Sequence, residues 1–564
     1  MKLKTLIILL LASVTFAQHP MDFVPDDALG ILSIKDGSAV NSILQLVNEK
    51  SGLPSDTPNV LETYLSQYID NPSAIDLKAQ VLVILVPTVI APGQRQPGMF
   101  GAMPHFMVVC KAKDGQNILA NTSAGMIFNT TVEGWFIATG ATQWTPRTDE
   151  NLSPIVATLP DAQISSSLKF GTLWSQFSPI VQMVGGMAVG GLNKPGPDGV
   201  IAPETKQAAK AAKKAFAELV KQFGDVEGIT SAVNFDSHTV IANVHIESKS
   251  GKNPTIDNSS MLEMASLVTN SASQYAISDK LTRKLMKFDF ASLYELAGEY
   301  GGGFLNVGPE YAKLAELTEA NVVSCDLTAE RGLTLSVLAD VQSQEEYMQM
   351  VPEVVVGSDA FLERVYNMEL TPADAPFAWN VSMLTSDSQV QLIMDAIIKK
   401  EDQIRFGKYG TDRVSIIMFG PRTWKPFSQP HASAISQLIK PHAKNVEIDF
   451  AMSFDPRKFA KGFIDTTQMA YDEVGVVEFS ASPSAKNSLL FGTTSTGTLI
   501  ELKSDLYGMA TLIADLQRVQ AEAKANGTSI GAGIGALAGQ SIGGKGENTK
   551  IGPGIRGLTG NQEK

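Results

Sequence analysis

The most constraining feature of the chain is a recurring unit: a short strand, a polar or turn residue, then a helix with apolar residues three and four apart. It reads ILSIKDGSAVNSILQLV (31–47), LKFGTLWSQFSPIV (168–181), MKFDFASLYELAGEY (286–300) and FAMSFDPRKFAKGFI (450–464). A period-two strand that turns into a period-3.6 helix sends the helix back across its sheet. Two occurrences fall in each half of the chain, which suggests an internal duplication.

Between these units the strands pair locally. In 229–248, Val240, Ala242, Val244 and Ile246 alternate with Ile241, Asn243, His245 and Glu247 after a turn at Asp236-Ser237. In 321–341, Leu333, Leu335, Val337, Ala339 and Val341 point inward after the turn Ala329-Glu330-Arg331-Gly332. Further strands are expected at 79–90, 105–113, 125–139, 377–383, 413–419 and 446–454, and as a meander at 475–481, 487–493 and 497–503. Hairpins and meanders build antiparallel sheets. The predicted fold class is therefore α+β: two related lobes, each a mostly antiparallel sheet with helices packed on one face. Lobe 1 spans 18–250 and lobe 2 spans 261–526, with 251–260 (GKNPTIDNSS) as the linker.

Three helices stand out. Asp36 or Ser38 can cap the first, with Val40, Ile43, Leu44 and Val47 on one side. The second opens at Pro203 and ends at Gly224. Ala208, Ala212, Phe216, Leu219, Val220 and Phe223 line one face, and Lys206, Lys210, Lys213, Lys214 and Lys221 lie mostly on the other. A basic amphipathic helix can lie on a membrane. The alanine-rich apolar face suits packing better, so the reading is a solvated lysine face on a packed helix. A closing helix, 505–525, aligns Leu506, Met509, Leu512, Ile513, Leu516 and Val519.

The N-terminus carries an export signal. Lys2 and Lys4 precede the apolar run Leu6 to Ala12, and Thr15 and Ala17 make a small-residue cleavage site, so 1–17 is read as a signal peptide. No transmembrane span is expected after cleavage: the run 79–91 is the next candidate, and Pro87 and Gln80 make it a core strand. The net charge of −13 falls by the two positive charges of Lys2 and Lys4 to about −15. Such an acidic surface argues against nucleic acid and against stable docking on anionic lipid. Cys110 and Cys325 follow Val-Val pairs and read as buried small hydrophobes, with a single disulfide between lobes as the alternative.

After Asn526 the composition changes. Residues 527–564 hold 12 glycines in 38, with Gly527, Gly531, Gly535, Gly539 and Gly543 four apart. The tail is read as glycine-rich and disordered; the alternative is self-association through that stripe.

The chain offers no catalytic motif of useful specificity. His19, His105, His238, His245, His431 and His442 lack zinc-protease spacing, and neither Gly-x-Ser-x-Gly nor a phosphate loop occurs. Ser166-Ser167-Leu168-Lys169 matches Ser-x-x-Lys, but it sits on a strand, which puts the two side chains on opposite faces. No catalytic residue, cofactor or metal is predicted. Two Gly/Pro/Met stretches, 91–104 and 183–203, read as loops forming an adaptable apolar contact surface, with Met99, Phe100, Met103, Met183 and Met187 as binding residues.

The segment FVPDDALGILSIKD (23–36) resembles the opening of a class of uncharacterised exported bacterial proteins. Those begin with a Pro-Asp turn, a strand ending in Asp and a helix, and often carry two similar α+β halves. The resemblance implies a fold and no activity. The expected function is an exported envelope protein, periplasmic or extracellular, that binds or scaffolds an envelope protein or glycan without catalysis. The alternative is an envelope hydrolase whose site is assembled from distant residues.

Overall fold

A computed structural model of the chain describes residues 19–51, 60–88, 103–140, 152–191, 203–236, 238–281, 314, 316–366, 368–383, 397–399, 402–427, 429–470 and 485–525. The leader 1–17, the unit 286–300, the strand expected at 475–481 and the tail 527–564 lie outside the described residues.

The described strands are β1 (Gly30–Ile34), β2 (Val81–Val86), β3 (His105–Lys111), β4 (Phe128–Val132), β5 (Trp135–Thr139), β6 (Ile164–Leu168), β7 (Val226–Asp236), β8 (Thr239–Ser248) and β9 (Ser273–Ser278). They continue as β10 (Thr318–Thr328), β11 (Gly332–Val341), β12 (Met368–Pro372), β13 (Ala378–Met383), β14 (Asp402–Tyr409), β15 (Arg413–Pro421), β16 (Glu447–Phe454), β17 (Asn487–Thr493) and β18 (Gly497–Asp505). The helices are α1 (Gly37–Ser51), α2 (Val60–Leu65), α3 (Phe170–Gly191), α4 (Pro203–Asp225), α5 (Ser259–Leu267), α6 (Gln344–Tyr366), α7 (Ala434–Ile439), α8 (Pro456–Ala470) and α9 (Leu506–Ala525).

The expected mixture of helices and antiparallel strands is present, and all 18 strands belong to one continuous sheet. Followed through its hydrogen-bonded neighbours, the order is β4-β5-β3-β2-β1-β6-β7-β8-β18-β17-β16-β9-β10-β11-β15-β14-β13-β12, with every pair antiparallel. The pair β8–β18 joins the first eight strands of this order to the last ten, running from Thr239↔Asp505 to Glu247↔Gly497. The units at 31–47, 168–181 and 450–464 fold as read, each a strand passing into a helix: β1–α1, β6–α3 and β16–α8. Asp36 caps α1, its Oδ1 accepting from the Ser38 and Ala39 amides at 3.0 and 3.1 Å. The Ser38 hydroxyl, foremost, holds that carboxyl below the usual carboxylate range.

Helices do not keep to one face of the sheet, which corrects the expectation. Val81 and Val83 pack with α1 and α2, whereas Leu82, Ile84 and Val86 pack with Met21, Phe23 and Ile155 on the other side. The unbroken apolar run of β2 is the signature of a strand covered on both faces. The same holds in β11. Leu338 joins a core under α5 and α7, and Ala339 and Val341 join one under α6. Thr334 and Ser336 are buried while Leu333, Leu335 and Val337 are half-buried, so the inward set read from alternation is not the most buried one.

The C-terminal helix α9 packs on α1, on α8 and beside β8. Its Tyr507 ring lies 5.0 Å from His238 and 5.9 Å from the Lys50 ammonium. Arg457 of α8 and Asp515 of α9 are both buried and form an ion pair.

Candidate functional site

Residues 183–191 are not loop. They are the second half of α3, which runs from Phe170 through Pro179 to Gly191. No Asp, Glu, Lys, Arg or His occurs in this helix. Its first turns are held. Phe170, Trp174 and Phe223 of α4 form an aromatic cluster, with Trp174 and Phe223 centroids 5.3 Å apart. The end of α4 is fastened as well. Asp225 accepts from Lys252 Nζ at 3.1 Å and from the Ser250 amide at 3.2 Å, and Lys249 Nζ donates to the Gly224 carbonyl at 3.0 Å. The Ser248 hydroxyl first, then Ser250 and Lys252, hold the Asp225 carboxyl well below the usual range.

Beyond Pro179 the helix leaves this support. Ile180, Gly185 and Val189 are half-buried, and Val181, Gln182, Met183, Val184, Gly186, Met187, Ala188, Gly190 and Gly191 are exposed. Against them lies α4, with Ala209 buried and Phe216 and Val220 half-buried. Gly185 permits the contact: a Cβ there would stand 2.1 Å from Phe216 Cζ. Between the two helices runs a groove of about 660 Å³, with Gln182, Gly186, Val189 and Gly190 on one wall and Lys206, Lys210 and Lys213 on the other. The result is an antiparallel helical hairpin, rooted on β7 and β8, with an uncharged arm and a lysine-bearing arm.

Two of the five expected binding residues meet on this arm. Met183 is 40% exposed and Met187, one turn on, 62%. Met103 is 59% exposed but stands on a separate element, just before β3, where the Thr88 hydroxyl donates to its carbonyl. Met99 and Phe100 lie outside the described residues. What the sequence reading missed is that the arm is helical. The absence of any charge across 170–191 was the available signal.

The other candidates do not assemble into chemistry. Ser166 Oγ is 2.7 Å from Ser231 Oγ on the neighbouring strand, and Lys169 lies past the end of β6. His245 Nε2 is 3.2 Å from the hydroxyls of both Thr494 and Thr496, and the His238 ring lies tilted against Tyr507. No group of three potential metal ligands occurs among the described residues. Both cysteines are free. Burial pushes the Cys110 thiol up to about 12, and burial with the Asp326 charge pushes Cys325 up to about 11. No helix among the described residues is long and apolar enough to cross a membrane.

No family model matches the chain, and no curated protein matches it. Among solved structures, crystal form III of the Treponema protein TP0453 matches with 6% identity over 45% of this chain and 97% of that one, at a TM-score of 0.19. Form IV gives 5% identity over 45% and 96%, also at 0.19, and form I gives 6% over 46% and 98%, at 0.18. A likeness this slight carries no argument.

Proposed function

We propose that the chain is an exported, non-catalytic envelope protein, periplasmic or extracellular once 1–17 is removed, that binds its partner through the α3–α4 hairpin. One observation carries the reading: the far half of α3 is uncharged yet open to solvent over most of its circumference. An apolar helix left unburied in the folded chain is an interaction surface awaiting a partner.

The same reading includes two related halves, 18–250 and 261–526. Strand order supports it. β1 lies between β2 and β6, and β6, β7 and β8 follow outward; β9 lies between β10 and β16, and β16, β17 and β18 follow outward. The halves then join tail to tail at β8–β18, close to Asn243↔Glu501. In this correspondence α3 and α8 are counterparts, each following the equivalent strand. They differ in use. The glycine of α8 at 462 lies so close to β10 that a Cβ would stand 1.8 Å from the Leu327 carbonyl oxygen. The corresponding helix in the first half, α3, leaves the sheet. A helix released from the core in one half only is a modification toward function.

The test is co-purification of the mature chain, residues 18–564, from its native envelope fraction, beside the variant Met183→Glu/Met187→Glu. The proposal expects associated material with the parent chain and its loss with the variant at unchanged circular dichroism. Identical material with both chains would defeat it.

A further inference from the structure

We propose that the partner of the hairpin is an anionic phospholipid surface, on which α3 and α4 lie without crossing it. The inference rests on the binding role given to the hairpin and names its occupant.

A helix that is apolar all round belongs either in a protein core or in lipid. Past Pro179, α3 carries no charge and a single polar side chain, Gln182, and it lies in no core: its exposed side chains point to most directions around the axis. The twelve residues from Ile180 to Gly191 measure about 18 Å, well short of the ~30 Å hydrocarbon layer. An apolar helix too short to span and flanked by cations lies in the interfacial plane.

The side chains argue for lipid over a protein partner. Protein interfaces concentrate their affinity in Trp, Tyr and Arg anchors that fill pockets. Besides Gln182, the exposed length of α3 offers Val181, Met183, Val184, Gly186, Met187, Ala188, Gly190 and Gly191, which are small or flexible and define no shape. A lipid layer needs only apolar area and tolerates flexible methionine.

Charge complements this. Lys206, Lys210 and Lys213 form one stripe along the groove, and exposed Lys214 adjoins it. Lysines beside an apolar arm can lay their stems on it and carry their ammonium groups to phosphate level. The mature chain as a whole, at about −15, would be repelled by such a surface. The stripe escapes that repulsion by distance. Lys214 precedes the start of β7 by twelve residues, about 18 Å of helix, which exceeds the screening length of about 8 Å in physiological salt. The anionic lipid therefore meets the lysines before it meets the acidic body. Each lysine near such a surface is worth about fivefold in partition.

The experiment is flotation of the mature chain with vesicles of phosphatidylcholine containing one quarter phosphatidylglycerol, beside vesicles of phosphatidylcholine alone. The parent chain is expected to float with the anionic vesicles and to be released by high salt. Lys206→Glu/Lys210→Glu/Lys213→Glu should lower its partition at least about tenfold, and Met183→Glu/Met187→Glu should abolish it. Failure to float, or flotation unchanged by both variants, overturns the lipid assignment. If the parent chain stays in solution but loses envelope-derived material on Met183→Glu/Met187→Glu substitution, the lipid assignment falls and the binding reading stands. If the parent chain instead dimerises and the methionine variant does not, a second copy is the occupant and the lipid assignment also falls.

Discussion

Gly185 of α3 lies against the ring of Phe216 of α4, so near that a Cβ on the glycine would stand 2.1 Å from Cζ. This contact sets how closely the two arms approach. Gly185→Leu should push the ring aside and splay the hairpin, a strain of about 1–3 kcal/mol by the usual cost of overpacking. Because the hairpin is held to the sheet at its root, the loss should be local. Hydrogen exchange should quicken in 181–191 and 206–220, with β10 and β11 protected as before.

Met183→Glu and Met187→Glu change exposed positions and should move global stability by less than about 0.5 kcal/mol. Leu338→Ala, in the core beneath α5 and α7, should cost about 2–5 kcal/mol. Urea titration of the three chains compares them directly. A large loss in either methionine variant would mean that α3 is packed after all.

The ion pair Glu263–Arg413 ties α5 to β15 with two bonds, at 2.9 and 2.8 Å. Arg413 lowers the Glu263 pKa. A depressed carboxyl stabilises the fold above its unfolded value, about 4.3, and that contribution fades as pH falls through the lower folded value. Glu263 is 61% exposed, so screening limits it to roughly 1 kcal/mol. Glu263→Gln should therefore be less stable than the parent at pH 7, and the two should converge as pH falls below about 4. A gap that persists in acid would contradict the assignment.

Buried thiols with raised pKa values react slowly. Buried Cys110 and half-buried Cys325 should resist a thiol reagent at pH 8 in the folded chain, and both should react in denaturant without a reductant. A chain that needs reductant in denaturant to yield two thiols would carry a disulfide.

The continuous sheet and the packing of α9 on α1 couple the first 250 residues to the last part of the chain. Unfolding followed by calorimetry should show one transition. Asp515→Asn should lower it, because the buried Arg457 loses the carboxylate charge that faces it. Two well-separated transitions would place the halves on independent footings.

Local structure was legible where local pattern decides it. β1–α1, the hairpins β7–β8 and β10–β11, and α9 follow from periodicity and capping at nearly the expected residues. Long-range pairing was not legible: β1–β6 and β8–β18 join segments over a hundred residues apart, and no local pattern encodes them. Double coverage of β2 and β11 does not follow from hairpin connectivity, which fits a sheet with one wet face equally well. The Gly/Pro-rich composition of 183–203 predicts a loop, and glycine does cost about 1 kcal/mol per helical position, yet 183–191 is helical. Gly185 offsets part of that cost by letting Phe216 approach. That the arm should stand exposed could not be read at all, since an uncharged apolar helix in a sequence signals burial.

The account's central claim is that the far half of α3 is the contact surface of the chain. A photo-crosslinking side chain in place of Met187 tests it most directly, with Leu119, 57% exposed and remote in sequence, as the control position. In native envelopes the account predicts crosslinked product at 187 and little at 119. Equal labelling at the two positions, or none at 187, would contradict it.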